Sequence, residues 1–282
     1  MTMRVDAHQH FWKYNPAEYA WIDDAMVGLK RDFLPAELKP LLEANGFDGC
    51  VAVQARQSLE ETRWLLEQAA ENVCVKGVVG WVDLRGKDLP EVLAGLKSER
   101  KLVGVRHIVQ DEPDDEFVLR KDFRRGVARL KEFGLTYDVL VVPRQLKAAT
   151  KLVREFDGQA FVLDHMAKPA IAEGATDDRM EIWAADVREL ARSGNAMCKL
   201  SGMVTEAKWK AWREEDFWPY MDEVMEAFGA GRVMIGSDWP VCTLSGEYGE
   251  TVGVVKRYVE RLTETERAAV LGGNCARFYG LE

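Results

Sequence analysis

Apolar positions along this chain recur in one phrase: an amphipathic run with helical spacing, a glycine, then a short and almost continuous apolar segment. The phrase occurs around Gly46, Gly134, Gly158, Gly194 and Gly229, as in LKEFG followed by LTYDVLVV. A glycine just past a helix accepts the left-handed conformation that turns the chain abruptly into the next element. Nearly unbroken runs of Val, Ile, Leu and Ala are what parallel strands covered by helices require. Adding Arg4–His10, Lys76–Leu84 and Leu102–Gln110 brings the predicted strands to eight.

The intervening segments carry helix-start signals. Pro35, Pro90 and Pro143 fall near predicted first turns, Ser58 and Glu61 are spaced as a capping box, and Thr263 and Glu266 repeat that spacing before a last helix. Eight β/α units in 282 residues match a single (β/α)₈ TIM-like barrel of the α/β class spanning residues 1–282. An eight-stranded doubly wound sheet is the rival architecture. No Pro/Gly/Ser-rich tract offers a domain boundary.

Composition narrows the partners. The net charge of -9 comes without a dense Lys/Arg run, which argues against nucleic acid and anionic membranes as partners. Neither a signal-peptide core nor an apolar span of about 20 residues is present, so a cytoplasmic protein is expected. Its 5 cysteines lack any C-x-x-C pair and read as reduced core thiols.

In a barrel, functional side chains lie where the strands end, at the C-terminal face. The 4 histidines, His8, His10, His107 and His165, all fall at or near such ends. Alternation along a strand places His8 and His10 on one face, where two imidazoles can share a metal or a substrate oxygen, although H-x-H alone is equally at home as a satisfied pair. The segment VMIGSDWP ends in Asp238, a carboxylate that must be paired or functional because burying it alone is costly. A turn cap beside Pro240 is its plain alternative. Arg106, Lys168 and Lys199 are cations at strand ends, suited to carbonyl and hydroxyl oxygens or else to salt bridges. Gln54 suits a substrate hydroxyl or a helix cap, and His107 and Tyr137 are open between faces. Trp12, Trp81 and Trp239 offer walls for a sugar ring, yet with 9 tryptophans most must serve packing.

The segments VDAHQHFW, VVGWVDL, VGVRHIVQD, DHMAKP, CKLSGMVTEA, GSDWPVC and GGNCARFYGL, in that order across essentially the whole chain, resemble the amidohydrolase-2 family. The resemblance is to its sugar-lactonase branch, the L-fucono- and L-rhamnonolactonase-like proteins. It implies a TIM-like barrel that opens an aldonolactone with water at a site built on His8, His10, His165 and Asp238. Asp238 is then the base that takes water's proton, with His165 next in line, and the histidines hold an ion or stabilise the oxyanion. Many family members carry a histidine on strand five, whereas LTYDVLVV offers Tyr137 and Asp138. At most one divalent metal is therefore expected, zinc being favoured, held by some of His8, His10, His165 and Asp238, and no organic cofactor.

The chain has no G-x-S-x-G elbow and no cysteine with an evident histidine partner, which disfavours an acyl-enzyme. Two alternatives stand beside the lactonase: a metal-dependent decarboxylase of an unsaturated or aromatic acid, and a non-catalytic sugar-acid binding protein. The expected partner is a small-molecule sugar lactone, with a homo-oligomer left open. The stretches Lys13–Arg31 and Ser245–Glu250 are expected to shape specificity.

Overall fold

Eight parallel strands follow one another around the molecule in chain order: β1 (Val5–Gln9), β2 (Gly49–Val53), β3 (Val75–Gly80), β4 (Leu102–Ile108), β5 (Thr136–Leu140), β6 (Phe161–Leu163), β7 (Ala196–Leu200) and β8 (Val233–Ile235). The structure, a computed structural model, describes residues 2–175 and 178–282. β8 returns to β1 through a bridge between Gln9 and Trp239 and through the Asp238 amide, which donates to the His8 carbonyl at 2.8 Å. The ring of strands decides between the two predicted architectures, since a doubly wound sheet reverses its strand order at a switch point. The chain forms a nearly closed TIM barrel.

The helices are α1 (Pro35–Ala44), α2 (Leu59–Glu71), α3 (Leu89–Leu96), α4 (Lys121–Leu130), α5 (Leu146–Glu155), α6 (Asp178–Ala191), α7 (Met203–Glu206), α8 (Trp218–Phe228), α9 (Tyr248–Tyr258), α10 (Glu264–Ala268) and α11 (Asn274–Tyr279). Pro35 opens α1, and Thr263 with Glu266 forms a complete capping box on α10. Ser58 caps α2 by accepting from the Glu60 and Glu61 amides, but the second half of that box is absent. Glu61 turns away to accept from the Ala55 and Arg56 amides and from the Tyr19 hydroxyl. Of the five helix-ending glycines, Gly46, Gly134 and Gly229 are left-handed, whereas Gly158 and Gly194 make the turn without it.

The main apolar core lies between strands and helices, as the two-sided burial of parallel strands demands. A smaller cluster joins strand residues such as Val5, Val51 and Met234 to Cys275 and Tyr279 of α11. Above it the barrel turns polar. Among the described residues, no helix is long and apolar enough to cross a membrane. One excursion shapes the mouth: the backbones of Trp12 and Phe33 pair with each other and close the neck of an arm between them. Trp12, fully buried, packs edge-on against Trp21 and Phe33 to stiffen that arm.

Candidate active site

Three imidazoles converge on one carboxylate oxygen where β1, β6 and β8 end. Asp238 Oδ1 lies 3.2 Å from His10 Nε2, 3.8 Å from His8 Nε2 and 3.9 Å from His165 Nε2. All four residues are buried. His10 Nδ1 donates to the Val53 carbonyl at 2.8 Å, which turns Nε2 toward the carboxylate. His165 is fixed by a 2.8 Å hydrogen bond between its Nδ1 and Ser201 Oγ. His8 Nδ1 sits 3.3 Å from Asp164 Oδ1 and 3.2 Å from Lys199 Nζ, so its Nε2 is the nitrogen turned to the site.

The backbone there is unusual. His165, Met166, Ala167 and Lys168 are four consecutive left-handed residues, and Asp238 is a fifth. For residues with a Cβ each such conformation costs about 1–2 kcal/mol, so the surroundings must enforce it. The Trp183 indole does so in part, donating to the Met166 carbonyl at 2.7 Å. The run turns both His165 and Lys168 toward one cavity.

Charge states follow from burial and neighbours. Burial lowers His8 well below the usual histidine range and His165 to about 4, so both rings are uncharged at neutral pH. Burial alone would raise Asp238, but the neighbouring His165 and His10 outweigh it and hold the carboxyl well below the usual carboxylate range. A buried anion beside uncharged imidazoles is short of positive charge. A divalent cation fits that deficit: zinc holds imidazole nitrogens at about 2.0–2.1 Å, which tetrahedrally sets two of them about 3.3 Å apart. His8 Nε2 and His10 Nε2 are 3.3 Å apart. His8, His165 and Asp238 also offer ligand atoms all within 4.8 Å of one another.

A second charged layer lies beneath. Lys199, fully buried on β7, reaches Asp138 on β5 at 2.5 Å and Asp164 at 3.0 Å. Arg106 on β4 pairs with the other oxygen of Asp164 at 3.0 Å and comes within 3.3 Å of His8 Nε2. The Tyr279 hydroxyl donates to Asp138 at 2.7 Å and ties the C-terminal helix to this layer.

The cavity above the four residues has a volume of about 310 Å³, at the small end of the range for small-molecule sites. His10, His165, Asp238, Arg106 and Lys168 line it, Lys168 paired with Glu206 at 3.0 Å. Five residues expected to touch substrate are not part of its lining. His107 points away from it, since Arg106 takes the inward face; its Nε2 meets Glu112 at 2.7 Å and its ring stacks on Phe117. Trp81 follows His107 outward, its indole nitrogen directed at His107 Nδ1. Trp239 packs edge-on against Phe11 and Phe33. Lys199 belongs to the lower layer. Gln54 braces Arg106, donating to its carbonyl and accepting from its guanidinium.

Other residues join the site without a signal of their own in the sequence. Asp164 orients His8. Asp6, fully buried, accepts from the amides of His8 and Ser237 and from the Tyr248 hydroxyl, and so ties β1 to the turn that carries Asp238. Gly202 has a readable cause: a Cβ there would fall 2.6 Å from His165 Nδ1. Trp21, Gln110, Thr205, Glu206 and Trp209 complete much of the cavity wall.

A nearly closed parallel barrel with a histidine–aspartate cluster at its C-terminal mouth suits an amidohydrolase, and the chain belongs to that family: the amidohydrolase model matches residues 5–281. It is 45% identical to the L-fucono-1,5-lactonase of Burkholderia multivorans over 99% of this chain and 97% of that one. It is 38% identical to the L-fucono-1,5-lactonase of Burkholderia ambifaria over 100% of this chain and 97% of that one. Crystal structures of an amidohydrolase from Burkholderia multivorans, one with bound HEPES and one with bound zinc, superpose with a TM-score of 0.95 at 45% identity, covering 99% of this chain and 100% of theirs.

Proposed function

We propose that this chain is a sugar lactonase that opens L-fucono-1,5-lactone or a close aldonolactone with water, using Asp238 as general base. The observation that carries the reading is an ionised carboxylate at a cavity floor, faced by uncharged imidazoles, in a chain 45% identical to a lactonase over 99% of its length. Oδ1 of Asp238 faces the imidazoles, so Oδ2 is free to take the proton of an attacking water. Once protonated, Asp238 returns that proton to the ring oxygen as the C–O bond breaks, and the product leaves as a hydroxy acid. Arg106, beside His8, supports the negative charge that develops on the carbonyl oxygen. His165, its ring fixed by Ser201, positions the same oxygen.

His8, His10, His165 and Asp238 would together hold a divalent ion, with zinc favoured. Such an ion, when bound, polarises a carbonyl and lowers the pKa of water. The reading places the enzyme in a reducing cytoplasm, where its five buried or half-buried cysteines stay free.

Acid release across a panel of six-carbon aldonolactones tests the reading. Hydrolysis of L-fucono-1,5-lactone well above spontaneous opening is expected; no acceleration on any member of the panel overturns it. Elemental analysis of protein purified without chelator should find at most one zinc per chain, and two tightly held ions would show that the lower layer also binds metal.

A further inference from the structure

Buried polar atoms in a folded protein are almost always hydrogen-bonded, so each exception asks for a partner that binds later. Two such atoms belong to residues that line the cavity above Asp238 and have no place in the hydrolytic step: the indole Nε1 of Trp21 and the amide Oε1 of Gln110. One is an obligatory donor and the other an obligatory acceptor. They come from different parts of the chain, Trp21 from the arm and Gln110 from the turn that ends β4.

Neither is loosely placed. Trp21 packs edge-on against buried Trp12, with ring centres 5.7 Å apart. The residues after it are held by Asp23, whose side chain accepts from the Ala25 and Met26 amides. The turn bearing Gln110 is pinned by the buried Gln145 amide, which donates to the Val109 carbonyl at 2.9 Å. The positively charged side chains in the same lining are already engaged, Lys168 with Glu206 and Arg106 with Asp164 and, in the reaction, the lactone carbonyl. What the wall offers the rest of the ring is therefore a neutral donor and a neutral acceptor. Hydroxyl groups match such a pair, because each hydroxyl both accepts and donates.

We propose that Trp21 and Gln110 determine specificity by reading ring hydroxyls of the lactone, Trp21 donating through Nε1 and Gln110 accepting through Oε1. The proposal rests on the lactonase reading and adds to it the side chains that separate a polyhydroxylated lactone from a bare one. A site with polar groups waiting for hydroxyls discriminates against a ring that lacks them, because those groups then stay unpaired.

The experiment compares L-fucono-1,5-lactone with δ-valerolactone, a lactone of the same ring size without hydroxyls, on the wild type, Trp21→Phe and Gln110→Leu. Phe keeps an aromatic ring against Trp12 and removes the N–H together with the rest of the indole's second ring; Leu keeps bulk and removes the amide. Each variant should lose about tenfold in kcat/KM on the sugar lactone, the size of one neutral hydrogen bond, and stay within about twofold of wild type on valerolactone. Where valerolactone turnover is too slow to follow, its inhibition constant against the sugar lactone supplies the same comparison. Equal losses on both lactones would mean that the substitutions merely disturb the arm or the turn, and overturn the proposal. Unchanged preference for the sugar lactone overturns it too. A wild type inactive on both lactones has a different signature and sinks the lactonase reading itself, and this proposal with it.

Discussion

Two layers of buried charge lie one above the other in this barrel, and they are balanced differently. In the lower layer Asp138 and Asp164 face Lys199 and Arg106, two anions against two cations. In the upper layer Asp238 faces three imidazoles, of which His8 and His165 are neutral near pH 7. The lower layer is balanced in charge as the chain supplies it; the upper layer has a surplus of lone pairs. The difference separates scaffolding from chemistry. A charge-neutralised layer holds its geometry, whereas an electron-rich one is ready for a cation, a proton or a polarised carbonyl.

Replacing Asp238 by Asn tests the upper layer and gives the largest effect expected. Asn keeps the shape and can hold the turn, but it cannot accept water's proton. Turnover should fall by about 10²–10⁴-fold, roughly 3–5 kcal/mol of barrier, at an essentially unchanged melting temperature. A loss of threefold or less at unchanged stability would reduce Asp238 to a cap, and His165→Asn would then have to be examined.

The lower layer should fail in the opposite way, through stability. Lys199→Met leaves Asp138 and Asp164 buried with Arg106 as the remaining cation, and removing one partner of a buried pair costs about 3–5 kcal/mol. Urea unfolding measures the loss, and adding Asp138→Asn should recover part of it by restoring the balance. A double variant no more stable than Lys199→Met would mean that packing of the lysine stem, rather than charge, is what the layer needs.

How much of this was legible follows from what a sequence encodes locally. The helix–glycine–strand phrase made the barrel readable. The position of His8, His10 and His165 at strand ends made their convergence at the barrel mouth readable too. His107 and Trp81 misled because parallel strands are buried on both faces, so apolar neighbours do not reveal which face looks inward. Arg106, one residue away, took the inward place. Asp164 escaped notice beside the more conspicuous His165, and Lys199 suggested a substrate contact because its partners Asp138 and Asp164 come from other strands. Glu61, spaced as a capping box, was diverted by the amides of Ala55 and Arg56, a competition that only the folded chain reveals.

Glu61 is also the control for what the lower cations do. It is as buried as Asp164, but its hydrogen bonds come from two amides and the Tyr19 hydroxyl, with the half-exposed Arg56 nearby, and burial pushes it up to about 7. Asp164 feels the same burial, yet Lys199, His8 and Arg106 hold it well below the carboxylate range. A carboxyl raised from 4.5 to about 7 binds its proton more tightly when folded, so between those values the native state carries more protons than the unfolded one. Stability from this group is present below about pH 4.5 and is lost as pH rises toward 7, by up to about 3 kcal/mol. Comparing unfolding of wild type and Glu61→Gln from pH 5 to 8 isolates the term. A difference between them that does not change with pH would show Glu61 to be ionised throughout.

The smallest effect concerns the seam that keeps the upper layer in register. β1 and β8 share few backbone hydrogen bonds, and the Asp6 carboxylate adds two, from the amides of His8 and Ser237. One amide belongs to His8 and the other to Ser237, the residue before Asp238, so Asp6 acts as a positioning residue without touching the cavity. Asp6→Asn can still accept both amides through its side-chain oxygen, and zinc affinity measured against a competing chelator should stay within about threefold of wild type. Asp6→Ala leaves two buried amides unpaired, which destabilises by about 1–3 kcal/mol. It should also weaken zinc binding by about 10–100-fold, the usual consequence of losing a group that orients metal ligands. Rescue by Asn but not by Ala separates the role of the oxygen from that of charge. If Ala bound zinc as tightly as wild type while losing only stability, the register of His8 and Asp238 would be set by the strands alone.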